Sequence, residues 1–432
     1  MRLHGFLIGR TETLLADVLR FSGPADAATS RFFRAHPKLG HNERGVIADA
    51  VFAVLRRKME FSHLAESGSG NLARRLALLG LMQTAGLSTV KPFTSADEYQ
   101  WLNQVSKIDP ASLPVRVRTN LPQWIYDAMT KRFDTEELAL LAAALNYPAP
   151  LDLRANPIKA TRELVIKTLT EAGIDAGEMP FAPFGVRVDG KPALTRLQSF
   201  QDGWIEVQDE GSQLLCSLVA PRRGEMIVDF CAGVGGKTLA LGAMMRSSGR
   251  LYAFDVSDRR LAKLKPRLAR SGLSNVNPVL IDSEHDAKIK RLAGKIDRVL
   301  VDVPCSGLGT LRRNPDLKWR QSPESVAELT PKQSSILTSA ARLVKVGGRL
   351  VYATCSMLEA ENEGVVTQFL ATHPGFKLVP AREVLAEQRI DLDTGDDYLQ
   401  LWPHKHGTDG FFAAVLDLSG CRLPQRKPWL GS

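Results

Sequence analysis

The sequence of 432 residues contains no long apolar run. The longest uninterrupted one, residues 138–145, is far shorter than the roughly 18 residues that a membrane-spanning helix needs. Near the N-terminus a short apolar stretch is interrupted by Arg10 and Glu12, so no secretory signal is predicted. We therefore expect a cytoplasmic protein that does not associate with a membrane.

Cysteine pairs at metal-binding spacing are also missing. The five cysteines are odd in number and form no Cys-x-x-Cys pair: Cys216, Cys231, Cys305, Cys355 and Cys421. A disulfide framework and a structural zinc site are both disfavoured by this pattern. The sequence therefore predicts free thiols and no metal.

Positive charge is concentrated in one part of the chain. The formal net charge is +9, and residues 211–381 hold 25 basic against 15 acidic residues, whereas residues 1–210 hold 25 against 24. Scattered Lys and Arg often only solvate helix faces. Clustering around a catalytic motif instead favours a polyanionic partner such as a nucleic acid.

The hydrophobic pattern predicts three folded parts and a basic tail. Apolar residues at helical spacing over 41–58 and 121–133 indicate a helical domain over 1–145. Short strand and helix patterns predict a small α+β domain over 146–210. From 211 to 421, strands at 226–230, 251–254, 276–281, 299–301 and 350–353 alternate with helices such as 257–271 and 331–344. This rhythm predicts a mostly parallel, Rossmann-like α/β sheet, followed by a tail at 422–432.

Two common nucleotide-binding fingerprints are absent from the first turn of this sheet. The turn reads Cys231, Ala232, Gly233, Val234, Gly235, Gly236 and Lys237. A phosphate-binding P-loop needs glycine where Cys231 stands, and the dinucleotide pattern Gly-x-Gly-x-x-Gly is not formed. The turn therefore favours neither a nucleoside triphosphatase nor a dehydrogenase.

Acidic residues follow the second and third predicted strands. Asp255 lies where a carboxylate accepts ribose hydroxyls in Rossmann-like folds, and Asp282 is placed to accept from an adenine amino group. Either residue could instead cap a helix. Together with a glycine-rich turn that lacks a phosphate signature, they favour S-adenosylmethionine as the cofactor.

Two cysteines follow the fourth and fifth strands. The fourth leads into Asp302, Pro304 and Cys305, and the fifth into Thr354-Cys355-Ser356. Because parallel strands end at the same sheet edge, where ligands bind, we expect both thiols at one site. Cys216 and Cys421 are interpreted as structural.

These motifs resemble a known family. Segments 229–238, 302–320 and 354–356 are similar to the signatures of RNA cytosine-C5 methyltransferases of the RsmB, or NOL/NOP/Sun, family. The resemblance covers the chain from about residue 207. Arg154-Ala155-Asn156-Pro157 and Phe200-Gln201-Asp202-Gly203 resemble that family's accessory domain, and the opening helices its NusB-like RNA-binding domain. One departure is Gly233-Val234, where the family commonly has Ala-Pro.

The resemblance implies a reaction and a set of roles. The substrate would be RNA, most often ribosomal RNA, with Cys355 as the nucleophile on cytosine C6 and Cys305 assisting elimination. Asp302 would contact the N3/N4 edge of cytosine and, with residues 231–237, Asp255 and Asp282, would line the cofactor site. The residues alone leave Cys305 open as the nucleophile, because DNA cytosine methyltransferases attack from a Pro-Cys segment.

Basic side chains near the motifs are candidates for RNA contacts. They are Lys237, Arg312, Arg313, Lys318 and Arg320. Trp319 could stack on a base or pack its loop onto the core. Two other functions stay open: a non-catalytic RNA-binding or ribosome-assembly factor, and a methyltransferase acting on tRNA, DNA or another atom. The sequence makes no prediction of oligomeric state.

Overall fold

The computed structural model describes residues 4–419, so Cys421 and the predicted tail 422–432 lie outside the described residues. The chain divides into two compact units. The helical unit comprises the first 149 residues together with Gly307–Ser325 and Pro403–Gly407. The second unit, called here the sheet unit, comprises Pro150–Ser306, Val326–Trp402 and the residues from Thr408 onward.

The first part of the chain is helical, as the apolar spacing predicts. Its helices are α1 (Phe6–Val18), α2 (Ala25–Ala35), α3 (His41–Arg56), α4 (Lys58–Ala65), α5 (Leu72–Ala85), α6 (Leu87–Val90), α7 (Ala96–Val105), α8 (Val115–Thr119), α9 (Gln123–Thr130) and α10 (Thr135–Leu145). The single helix predicted over 41–58 ends at Arg56, because Arg57 leaves the helical conformation with φ −112° and ψ 32°. Helices α1, α3 and α5 bury their apolar stripes in one core that includes Leu7, Ile47 and Leu78.

A small antiparallel sheet begins the sheet unit. Its elements are β1 (Leu151–Ala155), α11 (Arg162–Glu171), β2 (Ala176–Glu178), β3 (Gly185–Val188), α12 (Gln198–Gln201) and β4 (Ile205–Val207). The strand order is β2-β3-β1-β4. This is the α+β arrangement predicted from the sequence.

A larger sheet and its helices form the rest of the sheet unit. The remaining elements of the chain are α13 (Glu210–Val219), β5 (Met226–Asp229), α14 (Gly236–Met244), β6 (Arg250–Asp255), α15 (Asp258–Ser271), β7 (Val276–Leu280), α16 (Ala287–Lys290), β8 (Ile296–Asp302), α17 (Leu317–Arg320), α18 (Pro323–Ala341), β9 (Val344–Thr354), α19 (Glu363–Thr372), β10 (Phe376–Val379), α20 (Ala381–Ala386), β11 (Leu399–Leu401), α21 (Pro403–His406) and β12 (Phe411–Leu418). Helices α17 and α21 belong to the helical unit.

The sheet order is β10-β12-β9-β8-β5-β6-β7, with β11 paired to β12. Strands β5 to β9 pair in parallel, and the three later strands add an antiparallel edge. The predicted Rossmann-like class is confirmed. The largest difference in a boundary is at α18, which begins at Pro323, so that Pro331, expected to start the helix, lies inside it.

Both faces of the large sheet are buried. Alternate residues of each strand enter different cores: Val228 and Val299 pack on one face, whereas Ile227 and Leu300 pack on the other. Strands covered on both sides read as continuous apolar runs. That is why these segments stand out in the sequence.

Segment 307–325 caps helix ends within the helical unit. Asp316 accepts a hydrogen bond from the N–H of Ala25, the first residue of α2. The indole of Trp319 donates to the carbonyl of Leu55 at 2.8 Å, at the C-terminus of α3. These backbone groups have no partner inside their own helices, so the segment satisfies polar atoms that the first 149 residues leave open.

No helix among residues 4–419 is both long and apolar enough to cross a membrane.

Candidate active site

A cleft of about 650 Å³ opens at the carboxyl ends of the parallel strands. The turns that follow β5, β6, β7, β8 and β9 all contribute to its lining, with Gly233, Asp255, Asp282, Asp302 and Cys355 among the residues. β5 lies between β6 and β8, so β6 and β7 are added on one side of β5 and β8 and β9 on the other. Open α/β sheets bind ligands at such a point, where the strand order reverses. The fold thus gathers the sequence-predicted cofactor and thiol residues in one cleft.

The glycine-rich turn after β5 requires glycine at particular positions. Gly235 has φ +87°, and a Cβ there would lie 2.1 Å from Leu264 on α15. Gly233 has φ +58°, and its N–H donates to Asp255 at 2.8 Å. The turn therefore packs against α15 and bonds the carboxylate that ends β6.

Val234, at the position where the family resemblance leads us to expect proline, is held by a side chain. Its carbonyl accepts a hydrogen bond from Arg267 on α15 at 2.7 Å. Arg267 is in turn paired with the buried carboxylate of Glu206 at 2.8 Å. Arg270 pairs with the other oxygen of the same carboxylate. A charge-assisted hydrogen bond therefore restrains the turn at the position where proline is absent.

Arg267→Met should weaken S-adenosylmethionine binding about 5- to 30-fold, since losing a charge-assisted bond to the turn costs about 1–2 kcal/mol. Calorimetric titration of the folded variant measures the effect. Arg270→Met is the matched control, because Arg270 shares Glu206 but has no hydrogen bond to Val234. Equal losses in both variants would show that Glu206 pairing, rather than the turn contact, matters for binding.

Asp229 is a buried acid in the cleft that the sequence predictions did not single out. It is 1% exposed, and burial raises its pKa to about 6. One oxygen accepts from the hydroxyl of Thr238 at 2.6 Å, whereas Oδ1 has no hydrogen-bond partner among the described residues. An unsatisfied carboxylate oxygen in this cleft fits the ammonium group of S-adenosylmethionine.

The two acidic residues predicted to hold the nucleoside both line the cleft, with different surroundings. Asp255 is buried and accepts from the N–H groups of Gly233 and Ser257, and it pairs with Arg260 at 2.9 Å. Asp282 is exposed. Their contacts with ribose and adenine stay predictions.

The two predicted catalytic thiols lie side by side. The Sγ atoms of Cys305 and Cys355 are 3.4 Å apart, although the residues are fifty positions apart in sequence. This follows from the pairing of β8 with β9, which runs in register to Asp302 opposite Ala353. Two adjacent thiols can divide nucleophilic attack and proton transfer between them.

An ion pair stands at the end of β8. Lys237 Nζ lies 2.6 Å from Asp302 Oδ2. Burial alone would lower the pKa of Lys237, but the charge of Asp302 and its hydrogen bond raise it. Lys237 is thus a permanent cation that orients Asp302 and occupies one of its two carboxylate oxygens.

The cysteine side chains differ in environment. The hydrogen bond with Cys355, together with burial, raises the pKa of Cys305 well above its usual range, so Cys305 keeps its proton at neutral pH. Burial raises the pKa of Cys216 to about 12, and this residue is 1% exposed, in agreement with an inert packing role. Burial also raises the pKa of Cys231, which lies in the glycine-rich turn after β5.

One predicted RNA contact needs correction. Lys318 is only 1% exposed, and its ammonium donates to the carbonyl of Arg56 at 2.6 Å. Burial lowers its pKa to about 7. A phosphate cannot reach a side chain enclosed in this way, so Lys318 is a structural residue of the helical unit. The sequence shows its charge but not its burial.

The other basic residues of this segment also lie in the helical unit and are half-buried. Arg312 donates to the carbonyl of Gly407 at 2.9 Å, and Arg320 pairs with Asp316 at 3.1 Å. The indole of Trp319 donates a hydrogen bond to the carbonyl of Leu55, and the Lys58 Nζ lies 4.8 Å from the centroid of the indole ring. RNA contacts by Arg312, Arg313 and Arg320 stay predictions.

Among residues 4–419 no group of three or more His, Cys, Asp or Glu side chains is arranged to hold a metal ion.

Comparison with known proteins matches two family models. Residues 216–417 match the 16S rRNA methyltransferase RsmB/F model, and residues 121–195 match the ferredoxin-like domain of RsmF/B-like methyltransferases. A relative from Synechocystis sp., a probable ribosomal RNA small subunit methyltransferase B, is 33% identical over 93% of this chain and 97% of its own length.

Solved structures show the same architecture. The crystal structure of PH0851 has a TM-score of 0.76 and 26% identity, covering 96% of this chain and 99% of that one. A methyltransferase homolog protein from Pyrococcus horikoshii has a TM-score of 0.60 and 27% identity, covering 72% of this chain and 99% of its own.

Proposed function

The chain belongs to the 16S rRNA methyltransferase RsmB/F family, and from that premise we propose that it methylates C5 of a cytosine in ribosomal RNA through a covalent bond to C6. The observation that carries the proposal is the 3.4 Å separation of the Cys305 and Cys355 sulfurs in the cleft that also holds the glycine-rich turn. A methyl transfer that needed no covalent adduct would not require two adjacent thiols.

The chemistry explains the need for a nucleophile. Cytosine C5 reacts poorly with an electrophile, whereas addition of a thiolate to C6 converts the ring into an enamine-like species that attacks through C5. When bound, S-adenosylmethionine supplies the electrophilic methyl group. After transfer, the C5 proton must leave and the thiol must be eliminated, which requires an acid/base group near the adduct.

The two thiols are suited to different steps. Its raised pKa favours the protonated form of Cys305, which suits this thiol to carry the proton of the pair. Cys355 then attacks C6, in agreement with the role implied by the family resemblance. When the adduct breaks down, the C6–S bond breaks and the C5 proton leaves; Cys305, 3.4 Å from the departing sulfur, can give that sulfur its proton and take up the C5 proton in exchange.

Asp302 and Lys237 form the base-binding end of the site. Lys237 donates to one oxygen of Asp302, which leaves the second oxygen to accept a hydrogen bond from the N4 amino group of cytosine or to share a proton with N3. Protonation at N3 withdraws electrons from C6 and favours thiolate attack. The ion pair thus orients the base and activates it.

The substrate cytosine must leave its stack to enter this cleft. Unstacking costs on the order of a few kcal/mol and is easiest in a loop or partly assembled RNA. The net charge of +10 over residues 211–381 supports a polyanionic substrate of this kind.

Bisulfite sequencing of RNA from a strain lacking this gene tests the proposal. We expect one cytosine of the small-subunit ribosomal RNA to lose its protection from conversion, and the wild-type gene to restore it. A gene encoding Cys355→Ala should fail to restore it. An unchanged ribosomal RNA pattern with a lost site in tRNA would contradict the proposed substrate, and no lost site in any RNA would contradict cytosine-C5 methylation.

A further inference from the structure

A buried carboxylate outside the predicted site connects the two thiol-bearing loops. Glu361 is 0% exposed and lies at the end of a short 3-10 turn, Glu359–Glu361, after β9. Its Oε1 accepts hydrogen bonds from the N–H of Ser306 at 2.8 Å and from the amide of Gln333 at 2.9 Å. Its Oε2 accepts from the hydroxyls of Ser306 and Ser356, each at 2.5 Å.

These donors belong to the residues next to the thiols. Ser306 directly follows Cys305, and Ser356 directly follows Cys355. The two serine hydroxyls are also 3.1 Å apart. Gln333 adds a second link, because its amide also donates to the carbonyl of Pro304, the residue before Cys305. One carboxylate therefore accepts hydrogen bonds from both loops, in each case from the serine that follows the cysteine.

The sheet itself does not hold the loops together at this point. The register of β8 and β9 ends at Asp302 opposite Ala353, and a last backbone bond runs from Val303 to Ala353. Beyond it, hydrogen bonds to Glu361 and between the two serines join the loops, together with the contact between the two sulfurs. Burying a carboxylate is unfavourable unless its oxygens are well bonded, and this one receives four hydrogen bonds.

We propose that Glu361 is a positioning residue that holds Cys305 and Cys355 at the separation needed for their shared reaction. The inference rests on the proposed function, because it concerns how the two thiols cooperate. Glu361 touches neither sulfur. It acts through the serines that follow each cysteine.

The chemistry of the bonds predicts which substitution preserves the clamp. In Glu361→Gln the amide oxygen can still accept from Ser306 N–H and Gln333, while the amide NH₂ donates to serine hydroxyls rotated to accept. Glu361→Ala removes every bond. We therefore expect Glu361→Gln to retain thiol positioning and Glu361→Ala to lose it.

Oxidative cross-linking measures thiol positioning without methyl transfer. Diamide takes two electrons and two protons from the two thiols, forming one S–S bond between Cys305 and Cys355 and leaving a reduced hydrazine. We expect fast cross-linking in the wild-type protein, at least about tenfold slower cross-linking in Glu361→Ala, and a rate within about threefold of wild type in Glu361→Gln. Mass spectrometry of the digested protein identifies the bond.

Turnover provides a second measurement. Glu361→Ala should lower kcat about 100-fold while leaving the KM for S-adenosylmethionine within about threefold, and Glu361→Gln should restore most of kcat. Glu210→Ala is the matched control. Glu210 is also 0% exposed and bonded to the backbone N–H groups of Phe181 and Ala182, so its loss lowers stability without a contact to either thiol loop.

The outcomes separate the possibilities. A folded Glu361→Ala variant that cross-links as fast as wild type, or whose cross-linking falls no more than in Glu210→Ala, overturns the inference. If Glu361→Ala does not fold, Ser356→Ala frees only the Cys355 loop from Oε2, and normal cross-linking in that variant overturns it instead. Cross-linking needs no RNA, so it tests the positioning role of Glu361 independently of whether the protein methylates cytosine. Failure of the proposed function would instead appear in the bisulfite experiment.

Discussion

Cys355→Ala is expected to lower the rate of methyl transfer to RNA by at least about 10⁴-fold, the scale seen when a catalytic nucleophile is removed. Without addition to C6, cytosine C5 lacks the electron density to attack a methyl sulfonium. The neighbouring thiol is not expected to substitute, because burial raises the pKa of Cys305 even when the hydrogen bond with Cys355 is lost. Transfer of labelled methyl groups to unmodified small-subunit RNA measures the rate.

Binding must be measured beside activity, since Cys355 lines the cleft. We expect the affinity of Cys355→Ala for S-adenosylmethionine to stay within about threefold of wild type. Cys216→Ala serves as the control, as that thiol is fully enclosed on α13 and outside the cleft lining. An active Cys355→Ala variant together with an inactive Cys305→Ala variant would reverse the two roles.

Cys305→Ala is expected to accumulate a covalent complex between protein and RNA. Attack by Cys355 still occurs, but no thiol remains 3.4 Å away to return a proton to the departing sulfur. Turnover should fall about 10²- to 10⁴-fold, the usual contribution of one acid/base group. The complex should approach one RNA per protein and migrate as a slower band that resists denaturing detergent.

The same gel discriminates between the two assignments. The double variant Cys305→Ala, Cys355→Ala should show no complex, since it lacks the attacking sulfur. A complex that persists in Cys355→Ala and disappears in Cys305→Ala would identify Cys305 as the nucleophile, the alternative that the residues alone left open.

The placement of both thiols at one sheet edge could be predicted from sequence. Each cysteine follows an apolar strand, and parallel strands end at one edge, so Cys305 and Cys355 were expected at one site. Their 3.4 Å contact depends on the pairing of β8 with β9, which the sequence pattern did not show. The strands themselves were visible because both faces of the sheet are buried. Periodicity and connection rules are sufficient for such features.

The features missed depend on contacts between side chains distant in sequence. Nothing near Glu361 marks it as the acceptor for Ser306, and nothing near Arg267 shows that it reaches Val234. Lys318 was predicted wrongly for the same reason, since a basic residue beside a catalytic motif looks the same whether it is exposed or enclosed. Pro331 was expected to start a helix, but it lies inside α18, which already begins at Pro323.

The capping of α2 and α3 by segment 307–325 has a consequence for synthesis of the chain. Domains usually fold in order as they leave the ribosome. Here the first 149 residues emerge with the N–H of Ala25 and the carbonyl of Leu55 still without their partners, because Asp316 and Trp319 have not yet been translated. The caps of α2 and α3 are therefore completed only after strands β5 to β8 have been translated, so these two helix ends gain their last hydrogen bonds late in synthesis.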